Sequence, residues 1–481
     1  MEKEFMLASQ LLTMLDSEDR WFTLAEIEEQ IGVSDKTIRK LIDETKKELP
    51  PSIKIEISRG KGVLLQYERR NIAIGEVISA MFRQKTFFQL FDLLFAEGGR
   101  YSLEELADKL FMSSSSLKKF IIRLNNSGLK HYNLRLTYAA PDLKGKEVNI
   151  RYFYWRLYYD AYEFSGWPFP NIDDSIIHQL ITDVEADKDI VYFLNSKRGL
   201  SFWAAIIITR TQMKKYVTVP YGKYDWKNNM FHISMIKLAE ALEQHFSVHL
   251  PQDEIRFFQA LFSHNQYNYY DEAKKAAMLS IEKEKLTRLT EEKYQMVNHF
   301  LMFALEAYPA IDATDRLIWE ISEFFEKMLV ENAIPDFVYI STSSLTEYVK
   351  RECQPMYQGI WACMNRLGQI YPEIMYNEYH LTKLTLLVSS SLRYKSKKAF
   401  LLIGEEFSIR HYVAKLIKQD IGDELTINTS ILEELTDEQM QQHGIDFVIS
   451  NFPVELKTVP IVIISTIPTK RDLDNIRKEL M

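Results

Sequence analysis

The sequence predicts a mainly α, multi-domain chain that ends in a small α/β domain. Three observations carry this. At 481 residues the chain exceeds what one core organises, which implies about three to five domains of ordinary size. Apolar residues recur at helical spacing over most of the chain up to about residue 394. From Lys397 that spacing gives way to short apolar runs alternating with amphipathic stretches, the pattern of a mainly parallel sheet with covering helices. Only 16 glycines and 14 prolines, against 46% hydrophobic residues, fit packed domains with short joints rather than long disordered linkers.

The first 70 residues read as helix, helix, turn, helix, hairpin. Leu7, Leu11, Leu12 and Leu15 lie on one helical face. Thr23 followed by Glu26 is a capping-box pattern that starts a second helix. After Gly32-Val33, Ser34 can cap a third. There Ile38, Leu41, Ile42 and Thr45 face inward, leaving Asp35, Lys36, Arg39, Lys40 and Asp43 outside. Beyond Pro50-Pro51, Ile53, Ile55 and Ile57 alternate, and Arg59-Gly60-Lys61-Gly62 turns into a second strand. Helix-turn-helix followed by a two-stranded ribbon is a winged helix. Such a unit lays its second helix in the DNA major groove, which is about 12 Å wide. The candidate DNA contacts are therefore Ser34, Lys36, Thr37, Arg39 and Lys40 on the helix. Arg59 and Lys61 on the ribbon would hold phosphate.

The layout then repeats. Leu103, Leu106 and Leu110 mark a helix, Ser113–Ser116 a turn, and Leu117, Phe120, Ile121 and Leu124 a second helix beneath Lys118, Lys119 and Arg123. These three cations are further candidate DNA contacts. A second ribbon is expected in "LRLTYAAPDLKGKEVNIR", with Lys144-Gly145-Lys146 at its tip. The net charge of −8 argues against nucleic acid by itself, but the charge is segregated. Residues 1–33 hold two cations and eight anions, residues 34–70 ten and six, and residues 112–156 nine and two. Cation-rich segments within an acidic chain suit a polyanion.

The middle of the chain supplies amphipathic helices such as "ISMIKLAEALEQHFSVHL" and "MVNHFLMFALEAY", whose aromatic and Met residues read as packing. His178, His264, His299 and His380 fall in these helices. Cys353 and Cys363 lack disulfide or metal spacing and read as thiols in a reducing compartment. The start shows no signal-peptide pattern, and "FWAAIIIT" is far short of the roughly 20 residues that span a bilayer. The expectation is a cytoplasmic protein with no membrane partner. No Gly-rich phosphate loop, metal cluster or Ser/His/Asp order is visible, so neither an enzyme nor a cofactor is expected. At the C-terminus "KAFLLIG", "LTINTS", "IDFVIS" and "VPIVIIS" read as strands. "SIRHYVAKLIKQ", "LEELTDEQMQQ" and "TKRDLDNIRKEL" read as helices.

Five stretches carry a resemblance across nearly the whole chain: "RWFTLAEIEEQIGVSDKTIRK", "SRGKGVLL", "WPFP", "SKRGLSF" and the tail "IVIISTIPTKRDLDNIRK". In them the chain resembles the Mga/AtxA family of virulence transcription regulators, and within it the capsule regulators. The resemblance implies a winged-helix DNA-binding domain at 1–70 and a second helix-turn-helix/winged-helix domain at 71–164. It implies phosphotransferase-system regulation domains (PRD-like bundles) at 165–278 and 279–395, and an EIIB-like α/β domain at 396–481. It further implies an activator of capsule or toxin genes that binds double-stranded promoter DNA. The activator would work as a homodimer through the EIIB-like domain and could meet a phosphotransferase-system phosphocarrier protein.

Two departures qualify this. The places expected for phosphoacceptor histidines fall at Arg198-Gly199 and Leu387, leaving His264 and His380 as the remaining candidates for regulatory phosphorylation. The loop expected to carry the EIIB cysteine reads "GEEFSIRHY", where Glu405-Glu406 would repel a phosphoryl group. That domain is expected to be a docking module. The alternative reading is a phosphotransferase-system phosphoryl carrier or enzyme component, which needs a placed nucleophilic Cys or His. An RNA-binding antiterminator would open with a short all-β domain, whereas this chain opens with helices.

Overall fold

The computed structural model describes residues 3–68, 70, 72–97, 100–163, 165–221, 224–289, 291–334, 344–392, 396–404, 406–429 and 436–480. They fall into two units, Met1–Phe303 with Asp315–Leu387, and Ala304–Thr314 with Val388–Met481.

The first unit opens with α1 (Lys3–Ser17), α2 (Leu24–Ile31), α3 (Asp35–Glu48) and the antiparallel pair β1 (Lys54–Ser58) and β2 (Gly62–Gln66). The helical faces expected from spacing are the buried ones: Leu11, Leu12 and Leu15 on α1, and Ile38, Leu41, Ile42 and Thr45 on α3. Thr23 and Glu26 form the expected capping box. Ile57 departs from the alternation of the strand. It is exposed, one residue from the end of β1 at the ribbon turn.

Next come α4 (Ile74–Arg83), α5 (Thr86–Glu97), α6 (Leu103–Lys109), α7 (Ser114–Asn126), β3 (Arg135–Leu136), β4 (Leu143–Lys144) and α8 (Glu147–Tyr162). The second ribbon differs from the expectation. Its strands are two residues each, and its turn is closed by Thr137, whose Oγ1 donates to the Ala140 carbonyl (2.6 Å) and accepts from the Asp142 N–H (3.0 Å). Lys144-Gly145-Lys146 is therefore not the tip but the exit from β4 into α8, with Lys146 at the helix N-cap. The glycine is needed for close passage. A Cβ at Gly145 would lie 2.4 Å from the Leu134 side chain.

The remainder is α9 (Asp174–Lys188), β5 (Ile190–Tyr192), α10 (Leu194–Gln212), α11 (His232–Phe246), α12 (Gln252–His264), β6 (Tyr267–Tyr269), α13 (Glu272–Arg288), α14 (Glu292–Ala307), α15 (Asp315–Asn332), α16 (Ser344–Glu352), α17 (Gln354–Ile370) and α18 (Glu378–Ser389). The short antiparallel pairing of β5 with β6, Ile190 opposite Tyr269, lies within a stretch read as wholly helical.

Buried on most of its circumference, α8 is the axis of this unit. Toward α5 it packs Phe153 on Phe91 (centroids 4.6 Å apart), and its Tyr158 hydroxyl donates to Asp92 (2.8 Å). Toward α10 it stacks Trp155 on Trp203 at 5.5 Å. Its Arg151 is fully buried and grips the equally buried Glu254 of α12 through two hydrogen bonds of 2.6 and 2.9 Å. Arg151 also donates to the Lys215 carbonyl (2.9 Å), and Glu254 accepts from the Val217 N–H (2.8 Å). Glu147 bridges Arg151 (3.1 Å) and Arg210 (2.7 Å). Burial pushes the Glu147 carboxyl up, but the two guanidiniums outweigh it and hold the group below its ordinary range.

The second unit contains β7 (Lys397–Leu402), α19 (Phe407–Ile421), β8 (Leu425–Asn428), α20 (Asp437–Gln442), β9 (Phe447–Ser450), β10 (Ile461–Ile463) and α21 (Lys470–Leu480). The strands form one parallel sheet in the order β10-β9-β7-β8. Alternate residues feed two cores. Ala399 and Leu401 pack with Val413, Ile417 and Ile476, while Phe400 packs with Met440 and Val448. The alternation read from the sequence is thus present. The first residues of the helix expected at "LEELTDEQMQQ", and Glu405, lie outside the described residues.

Removing one partner of a buried pair strands the other charge, at a cost of about 3–5 kcal/mol. Glu254→Ala should therefore lower the denaturation midpoint of the chain sharply. The double variant Arg151→Met/Glu254→Leu, which leaves no orphan charge, should recover most of the loss. Chemical denaturation of the three proteins side by side checks this.

Candidate nucleic-acid interface

The turn between α2 and α3 is made by Gly32, whose left-handed backbone (φ 74°) returns its N–H to the Glu28 carbonyl. Ser34 takes the N-cap position of α3, but its Oγ pairs with Thr37 Oγ1 (3.1 Å) instead of a backbone N–H. Burial of Ile38, Leu41 and Ile42 then sets the helix rotation, and Lys36, Thr37, Arg39 and Lys40 all emerge on the solvent side. Arg39 is held by Asp35 at 2.8 Å, and Lys40 lies 3.4 Å from Glu44 and 4.0 Å from Glu4. Exposed pairs of this kind are worth at most about 1 kcal/mol, so a phosphate can replace the carboxylates.

The ribbon is fastened to the body by a third strand segment. Phe22 and Val63 exchange two backbone hydrogen bonds of 2.8 Å. Gly62 makes this possible. At φ 108°, a Cβ there would sit 2.0 Å from the Phe22 carbonyl oxygen. The tip presents Arg59 and Lys61 to solvent, and the Lys61 ammonium lies 5.7 Å from the Trp21 ring.

The second helix-turn-helix superposes on the first in sequence register. Thr23 corresponds to Ser102, Glu26 to Glu105, Ser34 to Ser113 and Ile38 to Leu117. Ser102 and Glu105 form a second capping box, and Ser113 caps α7 through the Ser116 N–H. Lys118, Lys119 and Arg123 are exposed along α7, with Lys118 and Lys119 in the places of Arg39 and Lys40. Serines stand where Lys36 and Thr37 would be, and no cation sits at the turn of the second ribbon.

One residue that sequence reasoning missed is Phe111. It occupies the register position of Gly32, adopts the same left-handed backbone (φ 54°) and leaves its ring 98% exposed. The repeat register is the signal that finds it. A bulky aromatic stands where the turn asks for glycine.

The two histidines considered for phosphorylation lie on α12 and α18 and converge on one carboxylate. Glu331 of α15 meets His264 Nδ1 at 2.7 Å and His380 Nε2 at 3.0 Å. His380 Nδ1 also accepts the Asn377 N–H (3.1 Å), so Nε2 carries the proton given to Glu331 and both ring nitrogens are engaged. Burial pushes Glu331 up, yet the histidines outweigh it and bring the carboxyl to about 2. Arg198 is tied to the carbonyls of Tyr162 and Gly166. Among the described residues no group of three His, Cys, Asp or Glu is placed to hold a metal ion, and no helix is long and apolar enough to cross a membrane.

Comparison with known proteins bears out the family resemblance. Residues 2–61 match the M protein trans-acting positive regulator (MGA) HTH domain, and residues 70–158 match the Mga helix-turn-helix domain. The chain is similar to the capsule synthesis positive regulator AcpB of Bacillus anthracis, 29% identical across 99% of this chain and 98% of that protein. The anthrax toxin expression trans-acting positive regulator of the same organism is 25% identical, again across 99% and 98%. The capsule synthesis positive regulator AcpA is 26% identical across 98% of both.

A non-glycine residue in left-handed backbone costs about 1–2 kcal/mol. Phe111→Gly should therefore stabilise the chain, by about 1 kcal/mol after the added freedom of the unfolded glycine is set against it. Thermal melting reads the gain. A simultaneous loss of DNA affinity would mark the ring as a contact.

Proposed function

We propose that this chain is a DNA-binding transcription activator of the kind its relatives' names describe, acting on capsule or toxin genes. The observation that carries the reading is the arrangement of the first winged helix. Four polar side chains on the start of α3, and two cations on the ribbon tip, all face solvent from one small domain. In this reading Lys36, Thr37, Arg39 and Lys40 approach base edges, with Ser34 at the phosphate beside the helix start. Arg59 and Lys61 hold backbone phosphate. Lys118, Lys119 and Arg123 add a second, mainly electrostatic grip. Matches to two helix-turn-helix families and near full-length similarity to named positive regulators support it.

The remaining assignments extend the same proposal. Domains are placed at 1–70, 71–164, 165–278, 279–395 and 396–481. The two helical segments serve as PRD-like regulatory bundles. The engagement of both His380 nitrogens, and Arg198 and Leu387 at the expected acceptor places, favour weak dependence on a phosphocarrier partner. The C-terminal domain, with no cysteine in the loop after β7, serves as an EIIB-like surface for homodimerisation.

Lys36→Ala and Arg39→Ala should each cost about 1–3 kcal/mol of specific binding where the side chain reads a base. Arg59→Ala should weaken all sequences alike and reduce the salt slope by about one. Chromatin mapping and salt-dependent titration of the three variants check this; wild-type behaviour in all three would remove the opening helix as the reader.

A chain ending before Lys397 should elute as a monomer where the full chain is a dimer. Its affinity for a two-site promoter should fall, because linked modules raise each other's effective concentration. Light scattering on the eluting peaks decides it, and a fully dimeric truncation would move the interface to the helical bundles.

A further inference from the structure

A cavity of about 830 Å³ lies inside the first unit, bounded by α8, α10, α12, α15 and α18. That is within the range of small-molecule sites, about 300–1,000 Å³. One wall is aromatic. Trp155 and Trp203 stack at 5.5 Å with their planes 11° apart, and Phe257 meets Trp203 edge-on at 5.6 Å. A polar part of the lining comes from α15, α18 and the end of α12. It carries the His264–Glu331–His380 cluster and two lysines, Lys327 and Lys383.

The charges on this wall are unequally matched. Glu331 already has two histidines on its two oxygens. Lys327 and Lys383 are half-buried, and among the described residues neither has a carboxylate at ion-pair distance or a hydrogen-bond acceptor. Burial lowers the Lys327 ammonium, with Glu323 and Glu331 opposing. Burial lowers Lys383 as well, and the charge of Lys327 adds to it. Glu323, whose charge acts most on Lys327, is itself pushed up by burial, with Lys327 and Lys293 opposing. Two mutually repelling ammonium groups, in the lining of a cavity that also holds stacked indoles, suit a negative headgroup on an apolar body.

We infer that this cavity binds a small organic anion with an aromatic or otherwise apolar body, its carboxylate or phosphate held between Lys327 and Lys383. The body would lie against Trp155, Trp203 and Phe257. Lys327 and Lys383 lie on α15 and α18, outside both helix-turn-helix units, so the inference stands whether or not the proposed DNA contacts do. A ligand there would touch helices from both bundles of the first unit and so favour one packing of them.

The test uses the full chain with phenylacetate, phenyl phosphate and the neutral phenylacetamide, read by tryptophan fluorescence and by melting temperature. Trp155, Trp203 and Trp319 line the cavity and serve as reporters. At least one anion should bind saturably and raise the melting temperature, with the amide about ten-fold weaker or more. The better of the two anions identifies the headgroup. Lys327→Met and Lys383→Met should each remove about ten-fold or more of the anion affinity and leave the amide unchanged. Either variant suffices, and the anion-to-amide ratio of the wild type stands even if one fails to fold. Absence of saturable binding by both anions, equal affinity for the amide, or anion affinity unchanged in the lysine variants would overturn the inference. The last outcome would assign any phosphate binding to the winged-helix surface instead.

Discussion

The bond between Arg151 and Glu254 is the constraint on which the first unit depends. Both side chains are removed from water altogether, so each needs every partner it has: two mutual hydrogen bonds, a carbonyl at Lys215 and an N–H at Val217. A shift of α8 by one residue along its axis would break the three that Arg151 makes and leave Glu254 with the Val217 N–H alone. Net stability from such a pair is often small, because desolvation offsets attraction, but it discriminates sharply between one packing and its neighbours. Since α8 also carries Phe153 and Tyr158 against α5, the register set by Arg151 also fixes where α5 packs.

In the proposed reading, an acidic chain approaches DNA by keeping its cations together and lightly restrained. Arg39 and Lys40 rest on carboxylates of their own surface, contacts weak enough to exchange for phosphate. Beyond about 10 Å, salt screens the acidic remainder of the molecule, so local composition matters more than the net charge. The two helix-turn-helix units are unequal in this respect. The first has side chains of varied hydrogen-bonding capacity at the helix start and a five-residue ribbon fastened through Gly62. The second has serines, two-residue strands and an exposed aromatic in its turn. That inequality favours the first unit as the reader of bases.

The middle of the chain shows how a residue's meaning can change with its neighbours. As single helical residues, His264 and His380 carry no signal. Brought within 2.7 and 3.0 Å of the two oxygens of Glu331, they become one cluster in the lining of a cavity. Its geometry ties up the nitrogens that a phosphoryl transfer would need on His380.

The sequence by itself determined whatever depends on short spacing. The first capping box, the buried faces of α1, α3 and α7, the first ribbon and the four parallel strands were legible. Each follows from residues within one or two turns of one another, where periodicity and capping act. Legibility ended where two distant segments had to meet. Lys144-Gly145-Lys146 looks like a hairpin tip until Leu134 is seen to require the glycine on the way into α8. Ile57 alternates correctly but is left exposed near the ribbon turn. The left-handed turn at Phe111, the pairing of β5 with β6 and the convergence on Glu331 leave no local mark. Tertiary structure alone decided these, and the Arg151–Glu254 pair above all. The free energy of a buried charge depends on which partner from far along the chain arrives beside it, and no spacing rule within a segment encodes that arrival.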